Sequence, residues 1–125
     1  MNLEKSYAKA RKAVESTYRG TLTMWEYRDV TDEVTKMTTQ RECAVLTKVP
    51  CKLSFETITN TKQGEAAASV AQIVKLFVSP DVPVKPGCKI AVTQDDVTTD
   101  YTYSGVPAIY PTHKEIILEL FERWA

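Results

Sequence analysis

His113 is the one histidine of the chain and the first residue to consider as a general base or a metal ligand. A nucleophile needs such a base within hydrogen-bond reach. His113 follows Thr112 and precedes Lys114 and Glu115, a polar setting typical of a turn or a surface position. No catalytic constellation surrounds it, so we predict a protein that is not an enzyme.

Carboxylates and thiols also fail to form a metal-site pattern. Asp95 and Asp96 are adjacent, without the further oxygen ligands that a hard cation requires, and are predicted to form a solvated turn. Cys43, Cys51 and Cys88 include no CxxC pair, a poor basis for zinc. We expect small, buried, reduced thiols, with no metal and no cofactor.

Aromatic and basic residues alternate near Trp25, Tyr27 and Arg28, which could stack on nucleic-acid bases. Neighbouring predicted strands do not repeat this pattern, so packing in the core or at an interface is the favoured role. Gly64 and Gly87 belong to no phosphate-binding motif. Basic and acidic residues number 16 each, and this balance argues against a free-standing binder of duplex DNA.

The length of 125 residues and a hydrophobic content of 43% predict one globular domain spanning residues 1–125. No apolar run approaches the roughly 20 residues that a membrane-spanning helix needs. No signal peptide is recognisable in the charged start of the chain, so we expect a protein made inside the cell.

The central third of the chain predicts three strands, because β-branched and aromatic residues alternate between turn-forming segments. Tyr101 and Tyr103 are expected on one face of the third strand. Between the first and second of these strands, Ser79–Gly87 contains three prolines, each of which lacks a backbone N–H donor, and this segment is predicted to be a corner. The predicted segments are a strand Val70–Val78, a corner Ser79–Gly87, a strand Cys88–Thr93, a turn Gln94–Val97 and a strand Thr98–Tyr103.

The first part of the chain predicts a helix over Asn2–Tyr18, since its apolar residues recur at helical spacing. We expect it to lie on a sheet edge or to contact a neighbouring subunit. A strand follows at Thr21–Arg28, and the polar stretch Asp29–Gln40 is interpreted as a connection. Glu42–Glu56 is again a predicted strand, which Pro50 interrupts.

Thr57–Ser69 is the compositional outlier, with small and polar side chains and one large apolar residue. It predicts a long internal loop, which is uncommon in a compact domain and often functional. A hairpin tip or a short helical turn within it is the alternative.

The last segment of the chain has a pattern that fits either a helix or a strand. A turn and a short strand, Ala108–Tyr110, precede it. Thr112 and Glu115 match a capping box before a helical apolar stripe, yet Ile116 and Leu118 also alternate as in a strand.

Several features have no chemical role but together form a recognisable series. They are the short N-terminal helix, Arg28-Asp29, Val49–Ser54, Phe77–Pro80, Val84–Ile90 and Pro107–Glu115. In this combination the chain resembles the head-completion, or stopper, proteins of long-tailed bacteriophages and related prophages. Cys88-Lys89 stands where that family commonly has an aspartate. The resemblance favours a strand at the end of the chain, and we follow it.

The resemblance implies a mainly β fold, a small β-barrel or sandwich of antiparallel strands with a short N-terminal helix and a long internal loop. It implies a homo-oligomeric ring in the phage neck that closes the DNA-filled head and docks the tail. The expected partners are portal or adaptor ring proteins, tail terminator or tail-tube proteins, and packaged DNA in the channel. The protein would be made in the host cytoplasm and then belong to the virion.

Two groups of residues are candidates for this role. A ring interface requires apolar and aromatic surface, and the predicted subunit or partner contacts are Trp25, Tyr27, Phe121 and Trp124. The predicted loop would reach the channel, with the DNA-facing residues Lys62, Gln63 and Gly64.

Two alternatives remain open from the sequence. One is a tail terminator or adaptor protein of the same joining region. The other is a small nucleic-acid-binding β-barrel that acts as a monomer.

Overall fold

The computed structural model of the chain describes residues 3–60 and 69–124. Within these ranges one helix precedes seven strands. In chain order they are α1 (Leu3–Glu15), β1 (Gly20–Thr31), β2 (Thr38–Asn60), β3 (Ser69–Val78), β4 (Lys89–Gln94), β5 (Val97–Thr102), β6 (Ala108–Ile109) and β7 (Lys114–Leu120).

The strands pair antiparallel, and their pairings close on themselves. β1 lies between β2 and β4, β3 lies beside β2, and β5 lies beside β4. β7 then pairs with β3 and with β5, so six strands form a closed ring of hydrogen bonds. The two-residue strand β6 adds to β7 outside that ring. The predicted mainly β fold with a short N-terminal helix is confirmed, with 56% of the residues in strands.

The core fills the inside of this ring, because alternate residues of each strand point inward. Leu22 and Met24 of β1 face Ile90 and Val92 of β4, with relative exposures of 0–1%. The remaining buried apolar side chains are Cys51, Leu53, Leu76, Val78, Val84, Cys88, Tyr101, Tyr103, Ile116 and Leu118. Tyr101 and Tyr103 are thus both inside, as their spacing predicts.

One end of the ring is closed by Gln94, the buried polar side chain of the described core. Its Oε1 accepts a hydrogen bond from the Leu53 backbone N–H at 2.9 Å, and its Nε2 donates to the Leu53 carbonyl at 3.3 Å. β1 pairs with β2 only as far as Cys51, so the amide satisfies backbone groups just beyond that pairing. Gly20 leaves room for it, since a Cβ there would lie 3.3 Å from the Gln94 Oε1.

The opposite end is closed by the corner between β3 and β4. The Tyr103 hydroxyl donates to the Val84 carbonyl at 2.5 Å, and the Gly87 N–H donates to the Tyr103 carbonyl at 3.0 Å. Gly87 has a φ of 79°, which suits glycine. The proline-rich corner expected from the sequence is therefore present, and hydrogen bonds hold it to Tyr103, the residue that follows β5.

Helix α1 is attached to this corner mainly by polar contacts. The Arg11 guanidinium pairs with the Asp81 carboxylate at 2.5 Å and donates to the Ser79 hydroxyl at 2.6 Å. No residue of α1 is buried. The expected contact of the helix with a sheet edge is thus not seen for Arg11, which reaches the corner after β3, and the expected contact with a neighbouring subunit stays a prediction.

The structure differs from the sequence-based prediction at three places along β1, β2 and β3. The stretch Asp29–Gln40 is not a simple connection, because β1 continues to Thr31 and β2 begins at Thr38. Of the predicted loop Thr57–Ser69, residues Thr57–Asn60 and Ser69 belong instead to the β2–β3 ladder, and residues 61–68 lie outside the described residues. Pro50 does not interrupt β2, since it pairs in register with Thr21; the register shifts of β2 lie between Val49 and Leu46 and between Leu46 and Ala44.

Other expectations are confirmed. Asp95 and Asp96 form the two-residue turn between β4 and β5, and both have positive φ, as a type I′ hairpin turn requires. The closing segment is the strand β7 rather than a helix. Ile116 and Leu118 point into the core from it, whereas Leu120 is exposed.

In the parts of the chain that the structure describes, no helix is both long and apolar enough to cross a membrane.

The Gln94 amide should contribute measurably to stability. Gln94→Met keeps the side-chain length but leaves the Leu53 N–H and carbonyl without their partner. We expect a loss of about 1–3 kcal/mol in the free energy of unfolding, measured by urea titration. Gln40→Met, at an exposed position of β2, is the matched control and should change stability by less than about 0.5 kcal/mol. Equal stabilities of the two variants would contradict this role for Gln94.

Candidate functional site

Strands β1 and β2 extend beyond the closed ring as a two-stranded hairpin. Trp25 is the last β1 residue that pairs with β4, opposite Lys89. From Glu26 onward β1 pairs only with β2, from Glu26 opposite Cys43 to Thr31 opposite Thr38. We call the segment Glu26–Cys43 the hairpin arm. Six residues of β1 in this arm correspond to a length of about 20 Å.

Among the described residues, neither edge of the hairpin arm pairs with a third strand, because β1 pairs with β4 only as far as Trp25 and β2 pairs with β3 only from Cys51 to Asn60. A two-stranded hairpin by itself is marginally stable in water. The arm therefore needs contacts at its base to hold a fixed direction.

The four aromatic residues predicted as an interface supply these contacts. The rings of Tyr27 and Trp124 lie 5.1 Å apart between centroids, and those of Phe121 and Trp124 lie 5.0 Å apart. Lys89 Nζ lies 5.8 Å from the centroids of both Trp25 and Phe121. Through these contacts the segment after β7 lies against the outer face of β1. We call these five residues together with Glu42 the brace.

Glu42 links the polar parts of the brace. Lys89 Nζ donates to its two carboxylate oxygens at 2.8 and 2.9 Å, and Trp124 Nε1 donates to Oε1 at 3.0 Å. The Lys89 ammonium, followed by the Trp124 indole N–H, holds the pKa of the Glu42 carboxyl below its ordinary value. One carboxylate thus connects β2, β4 and the end of the chain.

The other face of the arm is fastened by Glu26. Arg28 Nε donates to its carboxylate at 2.8 Å, and Lys85 Nζ lies 3.6 Å from it. The Arg28 guanidinium, ahead of Lys85, lowers the pKa of the Glu26 carboxyl. Lys85 belongs to the corner between β3 and β4, so this pair ties the arm to the body. A groove of about 470 Å³ lies here, lined in part by Gln40 and Gly87.

The tip of the arm is an ordered turn that exposes apolar side chains. The Asp32 carboxylate accepts from the backbone N–H groups of Val34 and Thr35 at 2.8 and 3.2 Å. The Asp32 N–H donates to the Met37 carbonyl at 2.9 Å. Val34 is 90% exposed and Met37 is 64% exposed. A braced arm that ends in two exposed apolar residues is suited to contact another macromolecule.

A second exposed apolar surface lies over β6 and β7. A groove of about 480 Å³ there is lined by residues that include Val106, Tyr110 and Ile117. Val106 is 97% exposed and Ile109 is 68% exposed. The molecule therefore has apolar surface on two separate sides.

The structure describes one of the two groups of predicted site residues and not the other. The structure brings the four predicted residues to the base of the arm: Tyr27 and Phe121 both contact Trp124. Trp25 is linked to this cluster through Lys89, which lies over the rings of Trp25 and Phe121. Their contact with another protein stays a prediction. Lys62, Gln63 and Gly64, the predicted DNA-facing residues, lie outside the described residues.

His113 is held by its neighbours in a turn. Its ring stacks on Tyr110, with 4.8 Å between centroids, and its Nδ1 lies 2.9 Å from the Thr112 hydroxyl. Its Nε2 lies 3.7 Å from the Glu115 carboxylate, and the side chain is partly covered. The expected turn position is observed, although the ring is less exposed than a surface residue.

The thiols show the expected burial at two of three positions. Cys51 and Cys88 are buried, and burial raises the pKa of Cys51 to about 12. The pKa of Cys88 is also raised, first by burial. Cys43, at the base of the arm, is only half-buried. Among the described residues, no group of three or more His, Cys, Asp or Glu side chains is placed to hold a metal ion.

The sequence interpretation missed the hairpin arm. The available signal was Asp32, which can form a local turn through its carboxylate, between threonine-containing segments of strand propensity. The polar composition of those segments concealed the strands, because in a two-stranded arm neither face is buried by a core.

Comparisons with known proteins give one partial likeness. No protein-family model matches the chain, and no curated protein matches it. Among solved structures, the chain is similar to the phage-like element PBSX protein xkdH from Bacillus subtilis. The identity is 11%, the TM-score is 0.49, and the match covers 83% of this chain and 96% of that chain. A likeness at this level supports no statement about what this chain does.

Removal of the Trp124 ring should loosen the arm. In Trp124→Leu we expect amide hydrogen exchange in β1 residues 26–31 to accelerate about tenfold, because two aromatic contacts and one hydrogen bond are lost. Exchange in β4 should change little. Arg123→Leu, at the preceding exposed position, is the control. Unchanged exchange in the arm of Trp124→Leu would show that the brace does not hold it.

The brace should also respond to acid. Because the pKa of Glu42 is lowered in the folded protein, its contribution is complete above the ordinary value of 4.5 and is lost as the pH falls through the lowered pKa. Lys89→Met should raise the pKa of Glu42 in an NMR titration, whereas Lys85→Met, which removes a partner of Glu26, should not. A Glu42 pKa unaffected by Lys89→Met would contradict the assignment.

Proposed function

We propose that this chain is a non-enzymatic structural protein of a phage or prophage particle, which works as a head-completion ring at the neck. In this role it closes the DNA-filled head below the portal or adaptor ring and offers a docking face to the tail. The proposal joins the sequence resemblance to one structural observation, the braced hairpin arm.

The arm supports this role because it is built to make contacts outside the domain. It projects about 20 Å from the ring of strands, and neither of its edges pairs with another strand of the part of the chain that the structure describes. Its base is fixed by the aromatic brace and by Glu26, so its direction is set before any partner arrives. A partner therefore meets a preorganised element, which lowers the entropic cost of association.

The distribution of apolar surface is consistent with a ring. In a closed ring each copy contacts its neighbours through two different surfaces. The described residues provide separate exposed apolar regions, at the arm tip around Val34 and at the groove around Ile117. Many copies would multiply contacts that are individually weak.

The nucleic-acid-binding alternative receives less support from the site. Its predicted stacking surface is occupied by side chains of the same molecule, since Tyr27 faces Trp124 and Trp25 lies beside Lys89. Arg28 is paired with Glu26. A tail terminator or adaptor protein remains the alternative within the joining region.

The proposal can be tested on phage particles. In a phage or induced prophage that encodes the chain, we expect cryo-electron microscopy to locate it as a ring at the neck. Deletion of its gene should give filled heads that lose DNA or fail to join tails. Deletion particles that are fully tailed and infectious, or intact virions without the chain at the neck, would contradict the proposal. A ring on the tail side alone would favour the terminator alternative.

Substitutions at the tip test the role of the hairpin arm separately from the rest of the protein. Val34→Asp with Met37→Asp should leave the fold intact, because both side chains are exposed, and should reduce the yield of joined particles. Val97→Asp with Leu120→Asp, also exposed but on the body, is the matched control. The ratio of joined to unjoined particles is the measurement. Equal ratios in both variants would show that the tip makes no contact needed for joining.

A further inference from the structure

One edge of β7 has a gap in its pairing with other strands. On this edge β6 pairs with Lys114 and Glu115, and β5 pairs with Glu119 and Leu120. Between these pairs, no strand of the described residues pairs on this edge with Ile116–Leu118, although β3 covers their opposite edge. Residues 103–107 connect β5 to β6 across the gap.

The backbone of Ile117 faces this gap. The Tyr110 N–H donates to the His113 carbonyl at 2.8 Å, and the Phe121 N–H donates to the Asp100 carbonyl at 3.0 Å. Because the direction of the backbone groups alternates along a strand, the odd-numbered residues direct theirs to this edge. Ile117 thus presents an N–H and a carbonyl to the gap, with no strand partner there among the described residues. Such groups can pair with the backbone of an extended peptide.

The side chains around the gap form a groove of about 480 Å³. Ile117 lines it and is 59% exposed, because it points outward while Ile116 and Leu118 are buried in the core. Val106 and Tyr110, which are also exposed, line the groove from the segment before β7. An apolar side chain placed between them would remove apolar surface from water.

Two carboxylates line the same groove. Glu115 and Glu119 lie on either side of Ile117 along β7, and the three residues share one face of the strand. The Ser104 hydroxyl donates to Glu119 at 3.0 Å, a contact that does not compensate its charge. Glu115 lies 3.7 Å from Nε2 of His113, which is charged only when protonated.

Lys75 also lines the groove but does not neutralise these carboxylates. It lies on β3 opposite Ile117, and its ammonium pairs with the Glu56 carboxylate at 3.3 Å. Among the described residues, neither Glu115 nor Glu119 forms an ion pair with a lysine or an arginine. The groove therefore has apolar surface between two negative charges, and its complement carries positive charge on both sides of an apolar group.

We propose that this groove binds an extended segment of a partner protein, in which an apolar residue has Lys or Arg two positions before it and two positions after it. Residues two apart in an extended chain share a face and lie about 7 Å apart, which matches the spacing of Glu115, Ile117 and Glu119. The apolar side chain packs between Ile117 and Val106, and the basic side chains meet the two carboxylates. The proposed function treats this groove only as apolar surface, whereas this inference names its occupant and does not depend on where the chain lies in a particle.

Titration of the full chain with peptides tests the groove. The probe is acetyl-Lys-Thr-Leu-Thr-Lys-amide, added to the ¹⁵N-labelled protein at low salt and followed by NMR. One control peptide replaces both lysines by glutamate, and the other replaces the leucine by serine. We expect the probe to shift the amide signals of Ile117 and Val106 in a saturable way, and either control to bind about tenfold more weakly.

Substitutions locate the charges that the probe meets. Glu115→Gln with Glu119→Gln should weaken binding of the probe about tenfold. Glu33→Gln with Glu122→Gln, which removes two exposed carboxylates elsewhere, is the matched control and should leave binding unchanged. Glu115→Lys with Glu119→Lys should reverse the preference, so that the glutamate peptide binds more tightly than the probe. The ¹⁵N spectrum of each variant shows whether its fold is kept.

Four results would overturn this inference. The first is a probe that causes no saturable shift of the Ile117 and Val106 signals. The second is equal affinity for the lysine and glutamate peptides, and the third is equal affinity of wild type and the glutamine variant for the probe. The fourth is a shift of the same signals with the concentration of the protein alone, which would assign the groove to a second copy. The proposed function is tested separately, because it fails only if the chain is absent from the neck of particles or is not needed there.

Discussion

The pairing of β3 with β7 is the constraint on which the rest of the structure depends. Five residue pairs, from Val74–Leu118 to Val78–Lys114, join the first three strands to the last one. Without them the sheet would have two free edges, and the apolar side chains that point inward from β1, β3 and β4 would face water. The closed ring instead encloses them, and this burial is the main stabilising contribution available to a domain of this size.

Closure of a ring requires strands of matched length, and β1 and β2 exceed that length. β2 has 23 residues, whereas β4 has 6, so β2 must leave the ring at one end or both. The hairpin arm is the consequence at the β1 side. Its backbone groups pair only across the hairpin, and the brace compensates by placing aromatic area on one face. The ends of the ring then depend on single polar contacts, Gln94 with Leu53 and Tyr103 with Val84.

Sequence analysis predicts the strands that have one buried face and one exposed face. Alternation identified β3, β4 and β5, and the position of Tyr101 and Tyr103, because burial on one face imposes a period of two. It missed the arm strands, where neither face is buried and threonine and charged residues occupy both. It grouped Trp25, Tyr27, Phe121 and Trp124 as one predicted interface but did not indicate where on the fold they lie. Tyr27 and Trp124 are 97 positions apart, and the path of the chain after β7 brings their rings together.

The brace explains how a single cluster serves both stability and contact. Lys89 and Glu42 form an ion pair that is partly covered by aromatic rings, so it is less screened by solvent than an open surface pair. Trp124 contributes an indole N–H to the same carboxylate and a ring to Tyr27, so polar and apolar contacts fix the same geometry. The arm is consequently ordered by its own chain. A partner that binds the tip does not have to supply the free energy for ordering it, and even a small contact surface at Val34 and Met37 can then contribute to assembly.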